Sequence, residues 1–242
     1  MMTQYPVLAD LHTHSISSGH GSSDTITQMA GRASLAGLRL MGISDHGPAT
    51  RGSASPSYFS GLRLAPRKRS GVDFLYGAEL NILNLKGDVD LPPRILSRLD
   101  YAIISIHPPF FTPREIPDVT GAYLSAFRHP RVRILGHIDD ARFPVDFERL
   151  LREAQTAGIY PEINNGSLSP QAYREGGLEN CRKILKICRD IHLPILLSSD
   201  SHGKGHVGDM GYALSLLEEC RFPPSLVLNS DPALLRQMLC QP

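Results

Sequence analysis

The stretch DLHTHSISSGHGSSD, residues 10–24, carries three of the chain's ten histidines, His12, His14 and His20, within nine positions. Imidazole nitrogens bind zinc and similar divalent metals, so the stretch is either a histidine-rich polar loop or one piece of a metal site. Residues of ligand type recur at separated points: Asp45 and His46, Glu79, His107, His137, then Asp200 and His202. His12 and His14 are two positions apart, as are Asp200 and His202. In an extended chain such a pair points to one side, about 6.5 Å apart, and both members can turn onto one cation. Glu79 stands in a segment otherwise made of Gly, Ala and Leu. A buried carboxylate is costly unless paired or metal-bound, and bridging two cations would stabilise it.

The elements that must position these residues follow from the apolar runs. Strand-like segments span residues 7–11, 38–44, 72–83, 101–107, 132–137, 159–164 and 193–202. Helical patterns lie at residues 24–36, with Asp24 as N-cap, and at 147–157, 179–189, 211–220 and 231–239. Residues 47–66, rich in Gly, Ser and Pro, read as a long loop, a kind that is often functional. Residues 84–91 hold a turn and are expected to form a small hairpin. Strands alternating with helices imply parallel βα units. Seven of them close most naturally into one α/β barrel spanning residues 1–242 as a single domain. In such a barrel every strand opens at its C-terminal end onto one face, where sites are built. Six of these strands end in or carry a ligand-type residue, so positions far apart in sequence should meet in one cup. A lone histidine at a strand end is more often a hydrogen-bonded rim residue; a habit shared by six strands points to a metal site. His129, His192 and His206 do not share it, although His206 lies close in sequence to the cup.

Composition narrows the partners. The 242 residues are 41% hydrophobic and 20% charged, with a formal net charge of +1. That is an ordinary globular balance. It offers no basic stripe for a nucleic-acid polymer and no membrane-binding face. The single basic run, residues 63–70, reads as a solvated loop. No apolar run reaches transmembrane length, and residues 1–10 lack the pattern of a signal peptide. Cys181, Cys188, Cys220 and Cys240 form no C-x-x-C pair and read as buried or half-buried reduced thiols, which suits a cytoplasmic setting.

Taken in order, DLHTHS, SDHG, GAELN, SIH, GHID and SSDSH resemble the PHP (polymerase and histidinol phosphatase) superfamily, with the strongest likeness to its stand-alone YcdX-type phosphatases. EINNGS (residues 162–167) and ENCRKI (residues 179–184) extend the likeness over almost the whole chain. The resemblance implies a distorted (β/α)7 barrel with a trinuclear metal centre. It assigns His12, His14, Glu79 and Asp200 to a first metal. Glu79 would bridge to a second, held also by His107 and His137, while His20, His46 and His202 would hold a third. Zinc is the expected ion, with manganese or iron as alternatives. One departure stands out: relatives often have proline after the histidine matched by His137, where this chain has Ile138, Asp139 and Asp140.

The implied reaction is hydrolysis of a small phosphate monoester by a metal-bridging hydroxide. Glu79, Asp200 and His202 are its expected catalytic residues, with Asp200 or a metal-bound water moving the proton. Arg51, Arg63, Arg67, Lys68, Arg142, Lys204 and Asn165 are candidates for phosphate contact, each also readable as a solvated side chain. On the same site, a phosphodiesterase, exonuclease or nucleotide phosphatase is the nearest alternative. An amidohydrolase-type C–N hydrolase fits less well, because no middle strand ends in a bridging lysine and His20, His46 and His202 would be left unused. A non-catalytic metal-binding scaffold is the third. The partner expected is a small phosphorylated substrate; the oligomeric state is not legible.

Overall fold

The computed structural model describes residues 4–240. Eleven short strands alternate with eight helices. The strands are β1 Ala9–Asp10, β2 Thr13–His14, β3 Leu40–Ile43, β4 Lys68–Arg69, β5 Val72–Tyr76, β6 Glu79–Asn81, β7 Ala102–Ser105, β8 Val132–Leu135, β9 Tyr160–Asn164, β10 Leu196–Ser198 and β11 Ser201–His202. The helices are α1 Ile26–Leu35, α2 Pro56–Gly61, α3 Pro93–Leu96, α4 Ile116–Ala126, α5 Phe147–Ala157, α6 Gly177–Asp190, α7 Gly211–Glu219 and α8 Pro232–Leu239. This is the expected α/β architecture with parallel pairing; only β4 runs antiparallel to its neighbour, β5.

The sheet is not one closed ring. Its ladders are β1-β3-β5-β4, β10-β9-β8-β7-β6 and the pair β11-β2. Residues 72–83, read as one strand, are two. Gly77 donates to Ile43 O on one side, and Ala78 O accepts from Ile103 N on the other. The extended chain changes partners there, and a Cβ on Gly77 would collide with the Tyr101 ring. On the far side, a segment near residues 226–229 fills the space between β10 and β1. Val227 bridges Ile195 in parallel, and Leu8 N donates to Asn229 O. The buried Asn229 side chain donates to Ala9 O and Leu197 O and accepts from Leu197 N.

Local chemistry sets the helix ends. Thr25, not Asp24, caps α1, in a reciprocal capping box with Gln28. Asp24 instead accepts from Lys204 N. Asp146 caps α5, which ends on the left-handed Gly158. Asp231 caps α8. Within residues 47–66 the chain is not all loop, since α2 starts on a proline suited to a first turn. Helix α4 has no counterpart in the sequence reading. The hairpin expected after β6 is there, closed by an Ile82–Val89 bridge. Cys181 and Cys188 are buried, Cys220 and Cys240 half-buried, and all four are unpaired. Among the described residues no helix is long and apolar enough to cross a membrane.

Candidate metal centre

Glu79 sits at the middle of a ring of imidazoles. Its Oε2 lies 3.3 Å from His12 Nε2, 3.5 Å from His14 Nε2 and 2.7 Å from His46 Nδ1. Its Oε1 lies 3.2 Å from His107 Nε2 and 2.9 Å from His137 Nε2. Asp200 faces the first pair with its Oδ1, 3.5 Å from His12 Nε2 and 3.2 Å from His14 Nε2. His202 stacks on His14 at 4.3 Å between ring centroids. His20 is exposed, with its ring 4.8 Å from His46 and 5.1 Å from His202. All nine residues singled out as metal ligands therefore lie in one cluster. The donor atoms that come within reach of one point fall into three sets: His12, His14 and Asp200; His46, Glu79 and His107; and His14, His46 and His202. Asp45 is the exception among the strand-end residues. It accepts from Ser15 N and Oγ, Ser18 Oγ and Tyr58 Oη, and holds the loop rather than facing the cluster.

The donor set fits divalent cations. His12 Nε2, His14 Nε2, both nitrogens of His46, Glu79 Oε2 and His202 Nε2 are buried with no aligned hydrogen-bond partner, close as His46 Nδ1 and Glu79 Oε2 are. Orphaned buried polar atoms are rare and costly, and here several converge on one another. The far side of three of the rings is fixed by protein. His12 Nδ1 lies 2.8 Å from Glu162 Oε2, His14 Nδ1 lies 3.0 Å from Ser18 Oγ, and His107 Nδ1 lies 2.8 Å from Asn81 Oδ1. Such outer partners orient a ligating imidazole and set its tautomer. The other oxygen of Glu162 accepts from His137 N at 2.6 Å. Asp200 Oδ2 accepts from Arg174 Nη2 at 2.7 Å and from Asn164 Nδ2 at 3.1 Å, which leaves Oδ1 to face the cluster.

Charge follows from this packing. Burial opposes ionisation of Glu79, but the facing imidazoles, His12 foremost, hold its carboxyl well below the ordinary range. Asp200 is held low in the same way, against burial, by His12 and Arg174. Burial and the neighbouring His46 and His202 push His14 well below a normal histidine, and burial brings His107 down to about 4. His12, facing Glu162, Asp200 and Glu79, is instead raised well above a normal histidine despite its burial, whereas neutral His14 and His107 are in the form that binds metal. His137 and Asp200 both adopt a left-handed backbone, at φ 28° and 53°. Among the described residues only six non-glycine residues do so, and strain of this kind gathers where a side chain must be aimed.

The cluster forms the floor of a cavity of about 1160 Å³ that His20, His46, His107, Asp200 and His202 help to line. Of the cationic candidates, Arg51 lines it. Arg63, Arg67, Lys68 and Lys204 do not. Arg67 pairs with Asp100, Lys68 with Asp73 and Lys204 with Asp24. Arg142 is taken up by Asp140. Asn165 lines the cavity, but its Oδ1 accepts from Tyr212 N and Ala213 N and so caps the start of α7. His129 bonds Gly87 O, away from the cluster. His192 takes a left-handed backbone just beyond α6. His206, 76% exposed, reaches only the rim. Reading strand ends did not single out Glu162 or Arg174. Glu162 carried the same signal as Glu79, an acid in an apolar strand; Arg174, in an irregular segment before α6, carried none.

No family model matches the chain. It is 38% identical over 224 residues to a probable phosphatase of Clostridium acetobutylicum, covering 93% of this chain and 91% of that one. It is also 38% identical over 234 residues to a probable phosphatase of a Thermoanaerobacter species, covering 96% and 94%. Two solved structures share the fold at a TM-score of 0.62 each. One is histidinol phosphate phosphatase from Lactococcus lactis in complex with zinc, L-histidinol and phosphate, at 18% identity, covering 89% of this chain and 94% of that one. The other is a putative histidinol phosphatase from Listeria monocytogenes, at 19% identity, covering 85% and 98%. With this identity over more than nine-tenths of each sequence, the chain belongs to the family of these probable phosphatases.

Proposed function

We propose that the protein is a metal-dependent phosphatase of the PHP type, built on a distorted (β/α)7 framework and acting on a small phosphate monoester. The observation that carries this reading is the set of buried donor atoms without hydrogen-bond partners on the floor of an open cavity. His12, His14, Glu79 and Asp200 would hold one cation. Glu79, His107 and His137 would hold a second, and His20, His46 and His202 a third. Zinc is the ion favoured, as in the structural neighbour crystallised with zinc, L-histidinol and phosphate. Bound there, divalent cations supply Lewis acidity toward phosphate oxygens and acidify water enough for attack near neutral pH.

The chain's own residues do the positioning. Glu162 turns His12 inward and pins the His137 backbone. Asn81 and Ser18 do the same for His107 and His14. Arg174 and Asn164 hold one oxygen of Asp200, and His12 and Arg174 keep it ionised, which suits a ligand better than a proton carrier. His202 lies on the cavity wall with its Nδ1 3.1 Å from Asp200 O, which leaves Nε2 as its donor toward a cation.

The test is a panel of phosphate esters on protein whose metals have been quantified, with His12→Ala as control. The expected result is more than one divalent ion per chain and monoester turnover that chelation abolishes and zinc or manganese restores. A metal-replete preparation inert across the panel would remove the phosphatase reading. Faster cleavage of a single-stranded oligonucleotide than of any monoester would overturn the substrate class.

A further inference from the structure

The cavity above the cluster has a second chemistry. The chain has eight tyrosines and eight phenylalanines. Three of them, Phe110, Tyr173 and Tyr212, line this one cavity. They come from three places: the segment after His107, the segment before α6, and the first turn of α7. Tyr173 is 62% exposed and Tyr212 45%, so neither ring is there to fill the core. Among the described residues these three rings make no ring contact with one another, and the exposed part of each is free to meet a guest.

Tyr173 is also held. The Arg142 guanidinium lies 4.9 Å from its ring centroid and that of Arg174 5.2 Å. Arg142 is itself locked by Asp140, with Nε 2.9 Å from Oδ1 and Nη2 2.5 Å from Oδ2. The two loops are tied by Ala141 N donating to Glu175 O at 2.8 Å. Arg174 links this rim to the floor, since its Nη2 is 2.7 Å from Asp200 Oδ2. Tyr173 thus stands one guanidinium away from the cluster.

We propose that Tyr173, positioned by Arg142 and Asp140, is a specificity-determining residue that recognises a flat aromatic ring on the leaving-group side of a phosphate monoester, an inference that rests on the phosphatase reading. Phe110 and Tyr212 would complete the wall around that ring. A preset aromatic offers offset or edge-to-face contact at little entropic cost, and each such contact is worth roughly 0.5–1.5 kcal/mol, about 2- to 13-fold in binding.

The discriminating probes are benzyl phosphate and its saturated counterpart, cyclohexylmethyl phosphate, whose leaving groups match in size and differ in flatness. The expected result is a preference for benzyl phosphate in kcat/KM of about tenfold, falling toward one in Tyr173→Ala. Arg142→Ala should lower the same ratio through KM rather than kcat, which a general loss of structure would not do. Calorimetric binding of benzylphosphonate against cyclohexylmethylphosphonate separates this proposal from the activity beneath it. Turnover of neither ester with a ring preference in binding that Tyr173→Ala abolishes would sink the phosphatase and keep the ring site. An equal ring preference in wild type and Tyr173→Ala, or none in the wild type, would overturn the ring site whatever the turnover.

Discussion

Two seams interrupt the sheet, and they are mended in opposite ways. At the first, the extended chain crosses from β5 to β6 at Gly77–Ala78, and the next residue is Glu79. The break frees strand ends, and what gathers there is a carboxylate among five imidazoles. At the second, between β1 and β10, a neutral amide on Asn229 answers three backbone groups. Buried polar backbone must be satisfied in both places. One seam leaves donor atoms unspent and so can bind something; the other leaves none and only holds. Irregularity in a sheet is therefore no sign of function by itself. The sign is buried polar atoms left over after the backbone has been served.

That contrast can be broken most sharply at Glu79. Glu79→Gln should lower kcat/KM for a monoester by at least about 10³-fold, on the order of 4 kcal/mol, and reduce bound metal per chain, with the far-UV circular dichroism retained. Bound metal and activity both unchanged would refute a ligand role. Asn229→Ala should do the converse. Losing three buried bonds, with backbone partners left unsatisfied, should cost about 2–4 kcal/mol of folding stability in urea titration, while folded molecules keep their metal content. Glu162→Gln probes the support of the first seam: metal affinity should fall about 10- to 100-fold, as for outer partners of ligating histidines, read by competition with a chromogenic chelator. The smallest effect belongs to Tyr101→Phe. Its hydroxyl donates to Leu11 O at 2.5 Å in the buried centre, and its loss should cost about 1 kcal/mol without altering metal stoichiometry.

The ligand-type residues were legible because their signal is local: a strand-like run, then His or Asp at a spacing of two. The spacing of two marks only His12 with His14 and Asp200 with His202; Glu79, His107 and His137 stood out by the strand-like run alone, and the structure brings them side by side. The sheet's partition was not legible. Residues 72–83 are extended throughout, and nothing in their alternation tells an extended chain that its neighbours change at Gly77. Helix α2 was hidden by the proline and glycine around it, although Pro56 at its start is a helix signal as much as a loop one. Asn229 was invisible because an amide in VLNSD looks like any turn residue; its work depends on Ala9 and Leu197, which only the fold brings near. Arg142 looked like a phosphate contact because its charge was legible and its partner, Asp140, two residues away, was not weighed against it.

The Asn229 closure also has a history within each molecule. Strand β1 is held by a residue made 220 positions later than Ala9, and Tyr5 is likewise fastened to Phe222 O. At roughly 5–20 residues per second, that interval is on the order of 10–40 s. Throughout it, the outer edge of β1 stays unpaired, next to the nascent His12 and His14. The growing chain thus exposes an open strand edge and an incomplete set of metal-donor side chains together, until the residues just before α8 have been made.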